Sequence, residues 1–199
     1  MIESFFYLSS YLSVFAVILF LIAFVIYNIY LLRKTSRPNI VSWCLFALVA
    51  LINSFSYFFM THDFVKSAVA FTNLFICMVT VILVFFKGER HKVALNEKII
   101  VMFCLIAIVS WKLFNSATCA NLLLQPAYIL AFFPTILGVY KNPNNERPLP
   151  WFLWACSLFV SLIVIAIRWE GAWKDFLNPS IAFFFHFFIG ALSLRKASA

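Results

Sequence analysis

The sequence predicts an all-α polytopic membrane protein with seven transmembrane helices. Hydrophobic residues make up 65% of its 199 positions and charged residues only 11%. A soluble domain of this length has too large a surface-to-volume ratio to bury so many apolar side chains. Apolar stretches of about 20 residues, the length that crosses a hydrocarbon core, recur along the whole chain. These two observations place the chain in a lipid bilayer.

Polar breaks divide the chain into seven apolar segments. Backbone groups in lipid must be hydrogen-bonded within their own structure, and the alternating ten-residue segments of a β-barrel are absent, so helices are predicted. The fourth and seventh segments are short, which favours tilt or burial by neighbours. The first lacks a basic start and a cleavage site, so we expect a retained helix rather than a signal peptide. The predicted spans are 6–32, 40–60, 66–86, 98–114, 119–140, 150–167 and 177–194.

Three local patterns near the ends of the spans are also interpreted. Asn178-Pro179-Ser180 is typical of a helix start, and Asn178 or Ser180 is expected to cap the last helix. His62-Asp63 is expected to form a solvated turn. Arg168 is expected at the membrane boundary, where its long side chain can reach water.

The basic residues predict how the helices are oriented. The formal net charge of +8 is carried in short loops, which is typical of a topology signal and not of a nucleic-acid-binding face. Only four basic residues lie on the side of the first residue, and eleven lie on the opposite side. The positive-inside rule then predicts an external N-terminus and a cytoplasmic C-terminus, in the plasma (inner) membrane. The eleven are Arg33, Lys34, Arg37, Lys87, Arg90, Lys92, Lys98, Lys141, Arg147, Arg195 and Lys196.

An internal repeat links the two halves of the chain. The string TSRPNIVSWCLFAL at 35–48 returns in altered form as NERPLPWFLWACSL at 145–158. Aligning Trp43 with Trp151 superimposes the second span on the sixth. The third and seventh spans share polar or small residues at i, i+4 and i+7, which lie on one helical face. Those two sets are Asn73, Cys77 and Thr80, and His186, Gly190 and Ser193.

The repeat predicts how the chain is divided. Three helices reverse the direction of the chain, so two adjoining three-helix units would be inverted unless one extra helix lies between them. The fourth helix supplies that crossing, which makes the units parallel repeats about an axis along the membrane normal. We therefore expect a first three-helix bundle at 1–95, a linker helix at 96–117 and a second bundle at 118–199.

This 3+1+3 plan, with LLRKTSRPNIVSW after the first helix, resembles the SWEET and PQ-loop transporters. The family's basic, hydroxyl-containing turn corresponds to Arg33-Lys34-Thr35-Ser36. The resemblance implies a uniporter or facilitator for small solutes, with sugars as the usual cargo. Vitamin and nucleoside carriers share the same helix plan. Family members use helix prolines as hinges, and the candidates here are Pro134 in the fifth helix, with Pro38 and Pro148 at helix entrances.

Polar side chains inside the membrane are the candidate binding residues, because they are costly there unless they meet a partner or water. Asn73 and His186 lie near the middle of the third and seventh spans. The resemblance implies that such a pair contacts the substrate at mid-membrane. The alternative interpretation is that each one hydrogen-bonds across a helix interface and stabilises the fold.

The second and sixth spans contribute further candidates. Asn53 and Tyr57 share one face of the second helix, and Trp154, Ser157 and Ser161 share a face of the sixth. Two such faces would wall a cavity in which the indole of Trp154 offers a stacking surface for a sugar or an aromatic ring. The serines have an ordinary alternative, because a serine hydroxyl often bonds to a carbonyl of its own helix.

The predicted function is a carrier that moves a small polar solute by alternating access between two bundles. A receptor or assembly protein of the same fold is the alternative.

An enzyme is not predicted, since HExxH, GxSxG and paired intramembrane acids are absent. The five cysteines lie singly and form no CxxC motif, so no metal or cofactor is expected. The expected partners are the solute and the lipid bilayer, without nucleic acid. A homo-oligomer is compatible with the composition, because lipid-facing and partner-facing apolar surfaces use the same residue types.

Overall fold

The computed structural model describes residues 2–33, 40–87 and 95–195. Within those ranges the chain forms seven α-helices and one short 3₁₀ turn at Pro143–Asn145, and it forms no strand. The helices are α1 (Ile2–Leu32), α2 (Ile40–Thr61), α3 (Phe64–Lys87), α4 (Leu95–Phe114), α5 (Ala117–Lys141), α6 (Pro148–Ile167) and α7 (Lys174–Leu192).

The all-helical prediction is confirmed, and the seven predicted segments coincide with the seven helices to within a few residues. Six of the described helices are long and apolar enough to cross a membrane, which indicates an integral membrane protein. The exception is α4, which carries the charged residues Glu97, Lys98 and Lys112 among its 20 residues. That α4 also crosses the membrane stays a prediction.

One predicted helix start was wrong. Asn178 or Ser180 was expected to cap the start of the last helix, but α7 already begins at Lys174. Asn178 and Pro179 therefore lie inside α7. Pro179 has no N–H to donate to the carbonyl of Asp175 four residues earlier, and the Tyr57 hydroxyl donates to that oxygen instead, at 2.7 Å.

Two of the helix connections are only two residues long. His62 and Asn115 adopt left-handed backbone conformations with φ of 49° and 48°, which reverses the chain sharply between α2 and α3 and between α4 and α5. Asp63 then caps α3, accepting hydrogen bonds from the N–H groups of Val65 at 2.8 Å and Lys66 at 3.1 Å. Ser116 caps α5 in the same way, through the N–H of Cys119 at 3.2 Å.

The helix packing has corresponding pairs in the two halves of the chain. For brevity, α1–α3 are called the first unit and α5–α7 the second unit. Within the units, α2 packs on α3 as α6 packs on α7, and α1 packs on α3 as α5 packs on α7. Between the units, α1 packs on α6 as α2 packs on α5. The remaining helix, α4, packs mainly on α5 and also contacts α2.

Side-chain contacts identify the two sides of the molecule. On one side the start of α1 meets the α6–α7 connection, where Arg168 donates to Ser9 at 3.1 Å. On the other side the end of α1 meets the start of α6, through Tyr27 and Glu146 at 3.2 Å. We call the first the N-terminus side and the second the C-terminus side, because α7 ends there with Arg195 bonded to the Tyr140 carbonyl at 2.8 Å.

Burial follows the pattern of a protein that is surrounded by lipid. The contact faces between helices include fully buried small residues such as Ala16 and Ala23 of α1, which allow neighbouring helices to approach closely. Large apolar side chains cover the outer surface, and Phe86 and Leu95 are three-quarters exposed. The polar side chains that remain inside are therefore few and specific in position.

Candidate functional site

Two small cavities adjoin at the centre of the helix arrangement, between the two units. Each has a volume of about 30 Å³. A cavity volume of roughly 10–15 Å³, measured in the same way, is enough to hold one water molecule. Each cavity therefore accommodates one or two water molecules in this conformation. Three side chains line both cavities, namely Asn73 of α3, Tyr128 of α5 and His186 of α7. The predicted pair therefore lies at the centre of the molecule.

Asn73 and His186 meet the cavities in different ways. Nδ1 of His186 lies 2.7 Å from the carbonyl oxygen of Ala182, which only accepts, so Nδ1 carries the hydrogen of that bond. Nε2 is left for the cavities. The Asn73 carboxamide is half-buried, and its oxygen accepts only a weak bond from the Cys77 thiol at 3.6 Å. Among the described residues, the Asn73 amide nitrogen has no protein acceptor.

The second cavity, on the C-terminus side, is walled by aromatic rings. The His186 ring lies 5.3 Å from Phe132, 5.4 Å from Trp151 and 5.7 Å from Trp154, measured between ring centroids. Trp154 is held in place by a hydrogen bond from its indole N–H to the Phe20 carbonyl at 3.2 Å. The predicted position of Trp154 against a cavity is found, with its indole nitrogen occupied and its ring available for contact.

The first cavity, on the N-terminus side, is bordered by a closed ring of four carboxamides. Asn53 donates to Asn178 at 3.1 Å, and Asn178 donates to Gln125 at 3.2 Å. Gln125 donates to the Asn121 side-chain oxygen at 3.2 Å, and Asn121 donates back to Asn53 at 3.1 Å. All four side chains are buried. This amide ring joins α2 of the first unit to α5 and α7 of the second unit.

The remaining predicted binding residues have separate positions. Tyr57 and Ser161 line the first cavity, and the Tyr57 hydroxyl donates to the backbone carbonyl of Asp175 at 2.7 Å. Ser157 lines neither cavity. Its hydroxyl donates to the Ala16 carbonyl of α1 at 2.6 Å, so it contributes a helix-to-helix bond.

Two ion pairs connect the units on the N-terminus side. Lys66 of α3 and Asp175 of α7 are 2.9 Å apart, and both side chains are almost completely buried. Arg168, after α6, lies 2.6 Å from Asp63 before α3, in a partly exposed position. In each pair the opposite charge offsets part of the cost of burying a charged group in apolar surroundings.

The C-terminus side is closed by a buried carboxylate and aromatic rings. Glu146 accepts hydrogen bonds from Tyr27 of α1 and from the indole of Trp151, both at 3.2 Å. The Tyr27 ring lies 5.4 Å from Trp43 and 5.3 Å from Trp154. Each side of the central cavities thus has its own set of contacts between the units.

Two of the three predicted hinge prolines lie in described helices. Pro134 lies inside α5, and Pro148 is the first residue of α6. Pro38 lies outside the described residues. Two further prolines occur inside helices, Pro126 in α5 and Pro179 in α7, and each removes one intrahelical hydrogen bond.

His, Cys, Asp and Glu are the side chains that most often bind metal ions in proteins. In residues 2–33, 40–87 and 95–195, no three His, Cys, Asp or Glu side chains lie together as metal ligands. The five cysteines are free thiols in separate positions.

Sequence reasoning missed Asn121, Gln125 and Asn178 in the amide ring, and the Lys66–Asp175 pair. Asn121 and Gln125 are spaced i, i+4 on one face of α5, which was a usable signal of a polar face. Asn178 was assigned to a helix cap. The ion pair joins positions 109 residues apart in sequence, and no local pattern indicates that contact.

Comparison of the chain with protein-family models, curated proteins and solved structures gives no match. Membership of the SWEET and PQ-loop family therefore stays a prediction that depends on the motifs and the helix plan.

Proposed function

We propose that this protein is a membrane carrier or facilitator that binds a small polar solute between its two three-helix units. The observation that carries the proposal is the position of Asn73 and His186. They extend from corresponding helices, α3 and α7, and both line both central cavities. Unfilled hydrogen-bonding groups at the centre of a membrane protein are a favoured place for solute recognition.

The proposed transport mechanism is alternating access by the two units. The corresponding helix pairs support a parallel 3+1+3 repeat, with the first unit at 1–95, the linker at 96–117 and the second unit at 118–199. Contacts between the units on the N-terminus side are ion pairs and amides, and those on the C-terminus side are Tyr27, Glu146 and tryptophans. Parting the units on one side breaks only that side's contacts. Pro134, Pro148 and Pro38 are the proposed hinges.

The side chains that line the two central cavities indicate which class of solute would bind. Amide, hydroxyl and imidazole groups suit a hydroxylated solute such as a sugar, while the ring-lined second cavity suits the ring of a small vitamin or a nucleoside. The lining residues that the structure describes include no carboxylate, so facilitated diffusion is preferred over obligatory proton coupling. Because each cavity holds only water-sized groups, the units must separate to admit a solute.

The proposed setting is the plasma (inner) membrane, with the N-terminus outside and the C-terminus in the cytoplasm, as the distribution of basic residues favours. Homo-oligomer formation is compatible with the extensive apolar outer surface. The two ion pairs on the N-terminus side, Lys66–Asp175 and Arg168–Asp63, would then lie toward the exterior.

The proposal is tested by thermal shift of the purified protein against sugars, nucleosides, vitamins and amino acids. A ligand that binds only the folded protein raises its melting temperature. We expect one class of compound to stabilise the wild type and Ser193→Ala, whose hydroxyl bonds only to the Ile189 carbonyl on the same helix. His186→Ala should lose that shift. No shift with any compound would favour the alternative of a receptor or assembly protein of this fold.

A further inference from the structure

Only two members of the amide ring line the first cavity. These front residues are Asn53 and Asn178. The back residues, Asn121 and Gln125 of α5, do not line it. Both back residues are buried, and each bonds to one of the front residues. Their effect on a bound solute must therefore pass through Asn53 and Asn178.

One backbone carbonyl fixes the direction of the ring. Gln125 donates through Nε2 to the Asn121 carbonyl at 2.8 Å, and because a carbonyl only accepts, its side-chain oxygen must face Asn178. Asn178 then donates to that oxygen, and the other carboxamides take the matching orientation around the ring. The Ser56 hydroxyl is compatible with this direction, since its oxygen accepts from Nδ2 of Asn121 at 3.0 Å. A reversed ring would place the Gln125 side-chain oxygen against the Asn121 carbonyl oxygen, two acceptors in contact.

The fixed direction determines what the front residues present to the cavity. Asn53 uses one N–H for Asn178, and Asn178 uses one N–H for Gln125. A carboxamide has two N–H groups, and for both residues the second one has no acceptor among the described residues. The other lining residues include Lys66, whose ammonium is paired with the Asp175 carboxylate at 2.9 Å and so adds no unpaired charge. The two front residues therefore provide the first cavity with N–H donors that have no acceptor among the described residues.

We propose that Asn121 and Gln125 are positioning residues, which hold Asn53 and Asn178 with their N–H groups toward the solute. The site then selects an uncharged solute through clustered oxygen acceptors, such as the hydroxyls of a hexose or a ribose, and rejects a protonated amine. This selection deepens the proposed carrier function and rests on it. The orientation of the ring does not rest on that function.

The variants separate positioning from packing. Gln125→Met keeps the length of the side chain and removes its hydrogen bonds, and Asn121→Leu does the same at the second back position. Asn28→Leu is the matched control, because Asn28 is a buried amide that donates to the Phe24 carbonyl of its own helix and lines neither cavity. Any variant that fails to fold is replaced by Gln125→Glu or Asn121→Ser.

The first measurement needs no ligand. Solution NMR of detergent-solubilised protein with ¹⁵N-labelled asparagine follows exchange of the side-chain amide protons with water. Gln125→Met should accelerate exchange at Asn178 by about fivefold or more, the effect of one lost hydrogen bond, and Asn28→Leu should not. Unchanged exchange at Asn178 and Asn53 in both back-residue variants would overturn the positioning role.

The second measurement tests selection. D-glucose and uridine are each compared with an amino-deoxy derivative in which the primary hydroxyl is replaced by an ammonium group. The wild type and Asn28→Leu should bind one neutral parent at least about fivefold more tightly than its amine, and Gln125→Met should reduce that ratio. Equal binding of parent and amine would overturn the selection. If neither parent binds the wild type while the exchange result holds, the carrier function and the solute class fail, and the oriented ring stands.

Discussion

Pro179 and Tyr57 are related through a single carbonyl oxygen. A residue with an N–H at position 179 would donate to the carbonyl of Asp175 four residues earlier, but proline has no N–H. The Tyr57 hydroxyl of α2 donates to that oxygen instead, at 2.7 Å. A proline in α7 thus creates an acceptor that a helix of the other unit satisfies.

Tyr57→Phe should lower the free energy of unfolding by about 1–3 kcal/mol, because it leaves the buried Asp175 carbonyl without a donor. In a Pro179→Ala background the backbone N–H restores the helical bond, and the same substitution should cost less. Equilibrium unfolding in detergent of the four proteins in this double-mutant cycle measures the difference. Equal costs in the two backgrounds would contradict the relationship.

Lys66 and Asp175 form the most deeply buried ion pair among the described residues. Lys66→Met should destabilise the protein by about 3–5 kcal/mol, since it leaves the Asp175 carboxylate buried without its cation. The double variant Lys66→Met/Asp175→Asn removes both charges and should recover most of that loss. Chemical denaturation in detergent distinguishes the two results, and a double variant as unstable as Lys66→Met would show that the ion pair is not the cause.

If the two units separate on the N-terminus side during transport, the neutral double variant should also favour that opening. A membrane-impermeant reagent that reacts with a cysteine placed at Ala70, which lines the first cavity, reports the change. We expect faster labelling in the Lys66→Met/Asp175→Asn background than with both charges present. The exposed native cysteines Cys44 and Cys156 must first be replaced.

The helices could be predicted from sequence because their signal is local. Runs of apolar residues ending at polar breaks located all seven, and the central positions of Asn73 and His186 followed from their depth in those runs. The shared helical face with Trp154 and Ser161 suggested Ser157 as a binding residue, but its hydroxyl bonds to α1 instead. Whether a side chain faces a cavity depends on how its helix is rotated and on which helix is adjacent. Periodicity in one helix does not determine either.

The contacts between units could not be predicted for a different reason. Asp63 and Arg168 looked like a solvated turn and a residue at the membrane boundary, and they form an ion pair across 105 residues of sequence. Asn178 precedes a proline, which is typical of a helix start, yet tertiary contacts extend α7 by more than a turn before it. In both cases the deciding partner belongs to the other unit.

The close approach of the Phe152 ring, and not the backbone conformation, explains why position 190 of α7 is a glycine. A methyl group added at this position would lie 3.2 Å from three atoms of the Phe152 ring, which is closer than ordinary contact. Gly190→Val should therefore cost about 1–3 kcal/mol through overpacking at the α6–α7 interface. Phe152→Leu should reduce that cost, as measured by thermal unfolding of the single and double variants. The control is Gly138→Val, where a Cβ meets its nearest neighbour at 3.8 Å.

The proposed parallel repeat requires α4 to cross the membrane. The sides of the membrane on which the two termini lie test whether it does. Its 20 residues span about 30 Å, enough for a hydrocarbon core, although it carries three charged residues. It ends at a two-residue turn into α5, beside Thr118, which accepts from Lys174 on the N-terminus side at 3.0 Å. We therefore expect seven crossings, with a reporter at the N-terminus outside and one at the C-terminus in the cytoplasm. Reporters on the same side would mean six crossings, and the two units could then not be parallel repeats across the bilayer.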